Sequence, residues 1–252
     1  MIRAMIFDLD GTLLKTERLK AISYARAAME LSPGGIREED VLEAFQEVVG
    51  LSREEVAGFL LRRFGLEESV RSRMRGLRVA TPWEAFAALR APIYEKMLED
   101  PEVLRKEQWP GNVALLTDAR RTGCRVGLAT MSHRPQVRRV LELLGWSGLF
   151  DYIATRDDVG RGKPDPEIYL LVARGLRVPP PDCLVVEDSP AGVKAALAAR
   201  MWCIAVTTPF TREGIHAGRL LEDRWIVDDP SALPSVVRRM IEERKEGGSE
   251  PK

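Results

Sequence analysis

The stretch FDLDGTLL, residues 7–14, ends the first apolar run of the chain and indicates how the rest can fold. It carries two carboxylates, Asp8 and Asp10, which are separated by one leucine and followed by Gly11 and Thr12. Like charges this close are destabilising unless a cation or a reaction requires them. The short apolar run before them predicts a buried strand, and the glycine after them predicts a sharp turn. The pattern indicates a strand whose carboxyl end carries chemistry.

Further short apolar runs repeat this strand signal along the chain. The six predicted strands cover residues 4–7, 125–130, 151–155, 183–188, 203–208 and 225–229. Segments of helical periodicity lie between them, at residues 111–122, 134–145, 165–175, 190–200 and 212–222. Strands that alternate with helices predict βαβ units and a parallel sheet covered on both faces. The predicted fold class is α/β, with a doubly wound, Rossmann-like core.

One long segment, residues 17–96, breaks the alternation. Its apolar residues recur three or four apart without a strand signal, and Ser52 and Thr81 are placed as helix N-caps. We therefore predict an all-helical cap domain inserted after the first strand. The predicted domains are the discontinuous core at 1–16 and 97–240, the cap at 17–96, and a charged C-terminal tail at 241–252.

The composition excludes several classes of protein. Of the 252 residues, 45% are hydrophobic and 30% are charged, which is a globular balance rather than a disordered or membrane one. The formal net charge is zero, which argues against a general binder of nucleic acid or anionic membrane. We expect neither of these partners, and we expect a monomer.

The cysteines and the chain start bear on the compartment. Cys124, Cys183 and Cys203 are widely spaced and lie in or beside apolar runs, so we expect buried free thiols. The opening MIRAMIF is too short for a signal-peptide core, and no apolar stretch approaches the roughly 20 residues of a membrane span. We therefore expect a cytoplasmic protein.

Polar residues follow four of the predicted strands. The carboxyl ends of parallel strands meet at one edge of a sheet, where the ligand crevice of such folds lies. The residues expected to converge there are Asp8, Asp10, Thr130, Lys163, Glu187 and Asp188. Oxygen ligands without clustered His or Cys are typical of a hard cation, and Mg²⁺ fits such a site.

These residue types together favour phosphoryl transfer. Asp8 is predicted to attack phosphorus and form an aspartyl-phosphate. Asp10 is placed to protonate the leaving oxygen and then to activate water. The Lys163 ammonium and the Thr130 hydroxyl would hold the phosphoryl oxygens, and backbone N–H groups of the turn at Gly11 and Thr12 would add donors.

Four segments carry a resemblance to a known family. DLDGT, LAT, GKPDPEIY and VVEDSPAGVKAA match, in order and spacing, the four motifs of the haloacid dehalogenase-like hydrolase superfamily. The helical insertion resembles the cap of its phosphoglycolate phosphatase and β-phosphoglucomutase branch. The resemblance covers nearly the whole chain and implies the same fold and an Mg²⁺ cofactor.

The resemblance also implies roles for single residues. Asp8 would be the nucleophile and Asp10 the acid/base, while Thr130 and Lys163 would bind the phosphoryl group. The metal set is Asp8, Asp10 through its carbonyl, Asp188, and Glu187 in support. The cap segment VVGLSREEV resembles one in which an arginine, here Arg53, reaches the substrate, and Arg90 aligns with a second basic residue. The residues predicted to bind substrate are Gly11, Thr12, Arg53, Arg90, Ser132 and His133.

Two departures from the branch decide between its activities. Lys15 stands where an acidic residue is common, and Lys20 stands where the mutases carry a histidine in the first cap helix. We therefore predict an Mg²⁺-dependent phosphatase of a small phosphorylated metabolite, a sugar phosphate by preference. A β-phosphoglucomutase-like mutase and a phosphonate hydrolase that uses Lys20 as a Schiff base are the alternatives. A purely binding protein is disfavoured because Asp8, Asp10 and Lys163 are all intact.

Overall fold

The computed structural model of the chain describes residues 1–48 and 53–245. The chain divides into two compact units, one of Met1–Lys15 with the chain from Leu104 onward, and one of Thr16–Val103. The sequence predicted the return to the core at residue 97. The return comes later because the last long helix of the second unit continues to Glu99. Ser52, predicted as an N-cap, and the tail beyond residue 245 lie outside the described residues.

The first unit is built on one six-stranded sheet. Its strands are β1 (Ala4–Phe7), β2 (Arg125–Ala129), β3 (Tyr152–Ala154), β4 (Cys183–Glu187), β5 (Trp202–Val206) and β6 (Ile226–Val227). All neighbouring pairs are parallel, and the order is β3-β2-β1-β4-β5-β6. This is the strand order of a doubly wound fold, so the predicted fold class is confirmed.

Helices cover both faces of this sheet. The helices of this unit are α7 (Pro110–Arg121), α8 (Arg134–Leu143), α9 (Glu167–Leu176), α10 (Pro190–Ala198), α11 (Arg212–Gly218) and α12 (Leu233–Lys245), and the short α6 (Pro101–Lys106) spans the boundary between the two units in the chain. Side chains of α9 and α10 form a core with Ala4 and Ile6 of β1, whereas α7 packs on β1 and β2 and contacts α12. Successive strand residues point to opposite faces, so both faces of the central strands are buried.

Helix α12 corrects the predicted C-terminal boundary. The sequence analysis placed a charged tail from residue 241, but the helix continues through Lys245. Leu233, Val237 and Met240 are all at most 2% exposed. Their spacing of four and three residues places them on one face of the helix. Because this apolar face is buried, the helix continues into a segment whose composition is charged.

The second unit consists of helices only. They are α1 (Thr16–Leu31), α2 (Glu38–Gln46), α3 (Arg53–Arg63), α4 (Glu67–Leu77) and α5 (Pro82–Glu99). The Tyr24 ring packs between those of Phe45 and Phe86, with centroids 5.9 and 5.4 Å away. Thr81 caps α5, as predicted, by accepting the Glu84 N–H. Among the described helices of both units, none has the length and apolar character needed to cross a membrane.

The three cysteines are free thiols. Cys183 and Cys203 are buried as expected, and burial raises the pKa of the Cys183 thiol to about 12. The expectation is wrong for Cys124, which is only half-buried because it lies in the turn before β2 rather than inside the strand.

The contact between β2 and α9 gives a test of the fold. A Cβ added to Gly127 would collide with Val172 and Leu176 of α9, so Gly127→Ala must move the helix from the sheet. We expect the free energy of unfolding to fall by about 1–3 kcal/mol in urea titrations. The matched control is Gly148→Ala, whose Cβ meets no described atom within 4 Å and should change stability by less than about 0.5 kcal/mol. Equal stability of the two variants would contradict this packing.

Candidate active site

Three adjacent strands bring functional side chains to one edge of the sheet. Phe7, the last residue of β1, pairs with Val186 of β4, so Asp8 follows beside Glu187. The Asp8 N–H continues this pairing by donating to the Val186 carbonyl at 3.1 Å. Thr130 follows β2 on the other side of β1. The strand order reverses at this point, which is where doubly wound sheets open a ligand crevice.

Lys163 connects these strand ends. Its Nζ donates to Asp8 Oδ1 at 2.7 Å, to Glu187 Oε1 at 2.6 Å and to the Ala129 carbonyl at 3.0 Å. The side chain is only 5% exposed, and the two carboxylates raise the pKa of the ammonium even though burial opposes this. All three ammonium protons are thus engaged. Lys163 in this structure orients Asp8, and it can reach a phosphoryl oxygen only by giving up one of these bonds.

The Asp8 carboxyl is buried, and only one of its two oxygens has a hydrogen-bond partner among the described residues. Burial raises its pKa to about 8, with Glu187 and Asp10 adding to the rise and Lys163 opposing it. Oδ1 accepts from Lys163, whereas Oδ2 is buried and has no hydrogen-bond partner within the described part of the chain. A buried carboxylate oxygen without a partner is costly, and native proteins keep one where a ligand or reaction uses it.

Glu187 has a different role from that of a metal ligand. Oε1 accepts from Lys163 and from the Tyr169 hydroxyl at 3.1 Å. Oε2 accepts from the N–H groups of Asp188 and Ser189, both at 2.7 Å, and from the Ser189 hydroxyl. Both oxygens are filled by protein donors, which corrects its place in the predicted metal set. Glu187 instead holds Lys163 and the chain at residues 188–189 in position.

Two glycines make room for carboxylates. A Cβ on Gly192 would overlap the Glu187 carboxylate, and a Cβ on Gly11 would overlap that of Asp188. Gly11 also has φ +91°, which L side chains rarely adopt. Its N–H donates to the Leu14 carbonyl at 2.7 Å, so the predicted use of this N–H as a phosphoryl donor is wrong for this structure. Gly11 serves the site by admitting Asp188.

Thr12 lies beneath the turn. Its side chain is fully buried, and its hydroxyl has no partner among the described residues. Its carbonyl accepts from Asn112 Nδ2 at 2.6 Å, which fixes the turn to α7. The predicted phosphoryl donor at Thr12 is its backbone N–H, and that contact stays a prediction.

Asp10 is held by two hydroxyl groups. Its Oδ2 accepts from Thr130 Oγ1 at 3.1 Å and from Ser132 Oγ at 2.7 Å. Thr130 is fully buried, and its oxygen also accepts the Ser132 N–H at 3.0 Å. The structure thus brings together Asp10, Thr130 and Ser132.

His133 is turned to a neighbouring loop. Its Nδ1 lies 2.7 Å from Asp157 Oδ1, and its side chain is 70% exposed. The other Asp157 oxygen accepts the Arg134 N–H at 2.7 Å. His133 therefore joins the loops after β2 and β3, and the structure does not support its predicted contact with substrate.

The two predicted cap arginines differ in setting. Arg53 is exposed at the start of α3. Arg90 is half-buried, and its Nε donates to Ser23 Oγ at 2.7 Å. Its guanidinium also lies 4.8 and 4.6 Å from the ring centroids of Tyr24 and Tyr94. Arg90 thus fastens α1 to α5, which favours Arg53 over Arg90 as a substrate residue.

The donors at the strand ends fit a hard cation. No three His, Cys, Asp or Glu side chains within residues 1–48 and 53–245 form a ligand group by themselves. The predicted set needs only two side chains, Asp8 and Asp188, with the Asp10 carbonyl. Mg²⁺ is held in this way by one or two carboxylates, its other positions being filled by water and substrate oxygens. The partnerless Asp8 Oδ2 is an acceptor suited to a cation.

Sequence reasoning assigned no role to four residues of the site. Tyr169, Ser189 and Gly192 surround Glu187, and Asn112 fixes the turn after β1. Ser189 precedes Pro190 at the start of α10, which is an N-cap signature readable from sequence. Tyr169 and Gly192 lie inside the motif segments GKPDPEIY and VVEDSPAGVKAA, which gave them no role of their own. Asn112 carries no local signal, since its partner Thr12 is 100 residues away.

The family model for haloacid dehalogenase-like hydrolases matches residues 2–200. The chain is similar to validoxylamine A 7'-phosphate phosphatase of Streptomyces hygroscopicus subsp. limoneus, with 30% identity over 93% of this chain and 100% of that protein. It is also similar to hexitol phosphatase A of Escherichia coli, with 31% identity over 82% of this chain and 84% of that protein.

A solved structure shows the same likeness. The crystal structure of β-phosphoglucomutase from Clostridium difficile aligns with a TM-score of 0.63 and 26% identity. The alignment covers 96% of this chain and 99% of that one. The likeness extends over both units of the chain.

The Lys163 bridge is tested by removing its charge. Lys163→Met leaves Asp8 and Glu187 buried without their shared cation, so we expect the free energy of unfolding to fall by about 3–5 kcal/mol in urea titrations. Lys194→Met removes an exposed lysine from α10 and should change stability by less than about 0.5 kcal/mol. A loss below about 1 kcal/mol for Lys163→Met would contradict the bridge.

Proposed function

The chain belongs to the haloacid dehalogenase-like hydrolase family, and from that premise we propose that it is an Mg²⁺-dependent phosphatase of a small phosphorylated sugar. One observation carries the proposal. The buried Asp8 carboxyl has one oxygen held by Lys163 and the other without a hydrogen-bond partner among the described residues, and a second carboxyl follows two residues later. The names of the two phosphatase relatives above support a phosphorylated carbohydrate-like substrate.

Asp8 is the proposed nucleophile. An oxygen of its carboxylate attacks phosphorus, and the bond between phosphorus and the leaving oxygen breaks. Lys163 donates to Oδ1 and so fixes the orientation of the carboxyl group for the attack. The Thr130 hydroxyl is a donor for the phosphoryl oxygens at the end of β2.

Asp10 is the proposed acid and base. In the first step its carboxyl proton passes to the leaving oxygen, which departs as an alcohol and leaves an aspartyl-phosphate on Asp8. In the second step the Asp10 carboxylate takes a proton from water as the water oxygen attacks phosphorus. Cleavage of the bond to Asp8 then releases inorganic phosphate and restores both side chains.

The proposed Mg²⁺ ligands are Asp8, Asp188 and the Asp10 carbonyl, with Glu187 keeping residues 188–189 in place. The ion, when bound, supplies positive charge that offsets the phosphoryl charge and that of neighbouring carboxylates. Gly11 permits this arrangement because any side chain there would displace Asp188.

A mutase is the second candidate, and the likeness to β-phosphoglucomutase favours it. Lys20, at the position where the resemblance places the mutase histidine, forms an ion pair with Glu17 at 3.8 Å. The ordinary pKa of a lysine lies about four units above that of a histidine, so a lysine is a poorer proton shuttle than a histidine near neutral pH. The ion pair with Glu17 opposes a Schiff-base role for Lys20, which needs a neutral amine.

The first experiment is a panel of substrates. Phosphate release is measured with and without Mg²⁺ on sugar monophosphates, sugar bisphosphates, phosphoglycolate and nucleotides. We expect Mg²⁺-dependent release from a phosphorylated sugar. Absence of release with every compound would contradict the phosphatase, and isomerised hexose phosphate in the same mixtures would establish the mutase.

Removal of the nucleophile tests the chemistry. Asp8→Asn cannot form the aspartyl-phosphate, so we expect phosphate release to fall by at least about a thousandfold. Asp118→Asn, an exposed aspartate paired with Arg121 on α7, is the matched control and should keep full activity. Turnover by Asp8→Asn above about a tenth of the wild-type rate would exclude Asp8 as nucleophile.

The raised pKa of Asp8 gives a pH dependence to metal binding. Mg²⁺ requires the ionised carboxylate, and a pKa of about 8 leaves roughly one molecule in a hundred ionised at pH 6 and half at pH 8. We therefore expect the Kd for Mg²⁺ to decrease by more than about tenfold from pH 6 to pH 8 in calorimetric titrations, with proton release near pH 6. Asp8→Asn should show neither effect. A constant Kd in wild-type protein would contradict the raised pKa.

A further inference from the structure

Ser132, in the loop after β2, makes hydrogen bonds through three of its atoms. Its N–H donates to Thr130 Oγ1 at 3.0 Å, and its carbonyl accepts the Arg156 N–H at 3.2 Å. Its hydroxyl donates to Asp10 Oδ2 at 2.7 Å. The loop is fixed further by Asp157, which binds the N–H of Arg134. The backbone of Ser132 is therefore fixed, and its hydroxyl donates to Asp10 from a fixed position.

The two hydroxyl donors converge on a single oxygen of Asp10. Thr130 and Ser132 both donate to Oδ2, and a carboxyl oxygen has two lone pairs. The two bonds set the rotation of the Asp10 carboxyl group.

Thr130 cannot hold Asp10 throughout the reaction. Its hydroxyl has one proton, and donation to a phosphoryl oxygen, as proposed above, removes that proton from Asp10. The Ser132 hydroxyl makes the shorter of the two bonds, and its backbone is fixed by contacts outside Asp10. Ser132 is thus the donor that stays on Oδ2 while Thr130 serves the phosphoryl group.

We propose that Ser132 is the positioning residue for the acid/base, and that its hydroxyl holds the Asp10 carboxyl in the orientation from which the proton passes to the leaving oxygen. The proposal rests on the proposed phosphatase function and replaces the predicted contact of Ser132 with substrate. The Ser132 hydroxyl keeps its own proton, while the Asp10 proton goes to the leaving oxygen as the bond from phosphorus to that oxygen breaks. Asp8 provides the electron pair of the new bond to phosphorus.

The test uses leaving groups that differ in their need for a proton. Ser132→Ala is assayed on the best hexose phosphate of the panel and on dinitrophenyl phosphate, whose phenolate departs without protonation. We expect kcat to fall about 10- to 100-fold on the sugar phosphate and less than about threefold on the aryl phosphate, since general acid catalysis contributes about 10²–10⁴-fold. KM should stay within about twofold on both.

Two further variants separate positioning from general damage. Ser132→Thr keeps the hydroxyl and should restore kcat on the sugar phosphate to within about fivefold of wild type, because the donor to Oδ2 is retained. Ser235→Ala removes a hydroxyl bound to the Ala232 carbonyl on α12 and should change neither kcat nor KM. The Tm of each variant shows whether it is folded.

The results that would overturn the role of Ser132 differ from those that would refute the proposed phosphatase function. A raised KM with equal losses on both substrates would show that Ser132 binds substrate, and would overturn the proposal. Crystal structures of wild type and Ser132→Ala with inorganic phosphate bound give a measurement that needs no turnover. We expect the Asp10 carboxyl to rotate in the variant, because Thr130 then donates to the phosphate. An unmoved Asp10 would overturn positioning by Ser132. Failure of wild type to release phosphate from any substrate would instead refute the proposed function.

Discussion

The buried ammonium of Lys163 between Asp8 and Glu187 is the interaction on which the site depends. Two ionised carboxylates at the ends of adjacent strands repel each other, and their burial without a cation is costly. Lys163 bonds to both and to the Ala129 carbonyl, so it links β1, β2 and β4. The strand order has to place β1 between the other two for one ammonium to reach all three. The site is therefore a consequence of the sheet topology.

The rest of the site is arranged so that this ion cluster is satisfied on one side and open on the other. Tyr169 and Ser189 fill the remaining acceptor positions of Glu187, and Gly192 leaves the space that its carboxylate occupies. Within residues 1–48 and 53–245, Asp8 receives no such donor on Oδ2. The two carboxylates therefore have different roles. Glu187, whose oxygens are both filled by protein donors, can only hold its neighbours in place. Asp8, which keeps a buried oxygen without a partner among the described residues, is available for a cation or for phosphorus.

The two units also differ in the roles of their polar side chains. Every group proposed to act on the phosphoryl centre lies in the sheet unit, at strand ends or in the loops that follow them. In the helical unit, Arg90 bonds to Ser23 and lies over two tyrosine rings, so this arginine contributes to the packing of the unit itself. An arginine alignment by itself therefore does not indicate a substrate contact, since the guanidinium can equally well be needed to join two helices.

The sequence by itself determined the alternation of strands and helices, the helical insertion and the set of residues at the strand ends, because these follow from local periodicity and from the rule that parallel strands end at one edge. It did not reveal α12 in full, since burial against another helix overrode a charged composition. Only the tertiary structure decided which partners each polar atom has. Lys163 holds the nucleophile, Glu187 is saturated, Gly11 makes space for Asp188, and His133 turns to Asp157. These contacts join residues far apart in the chain, and their geometry is fixed by packing that no local pattern encodes.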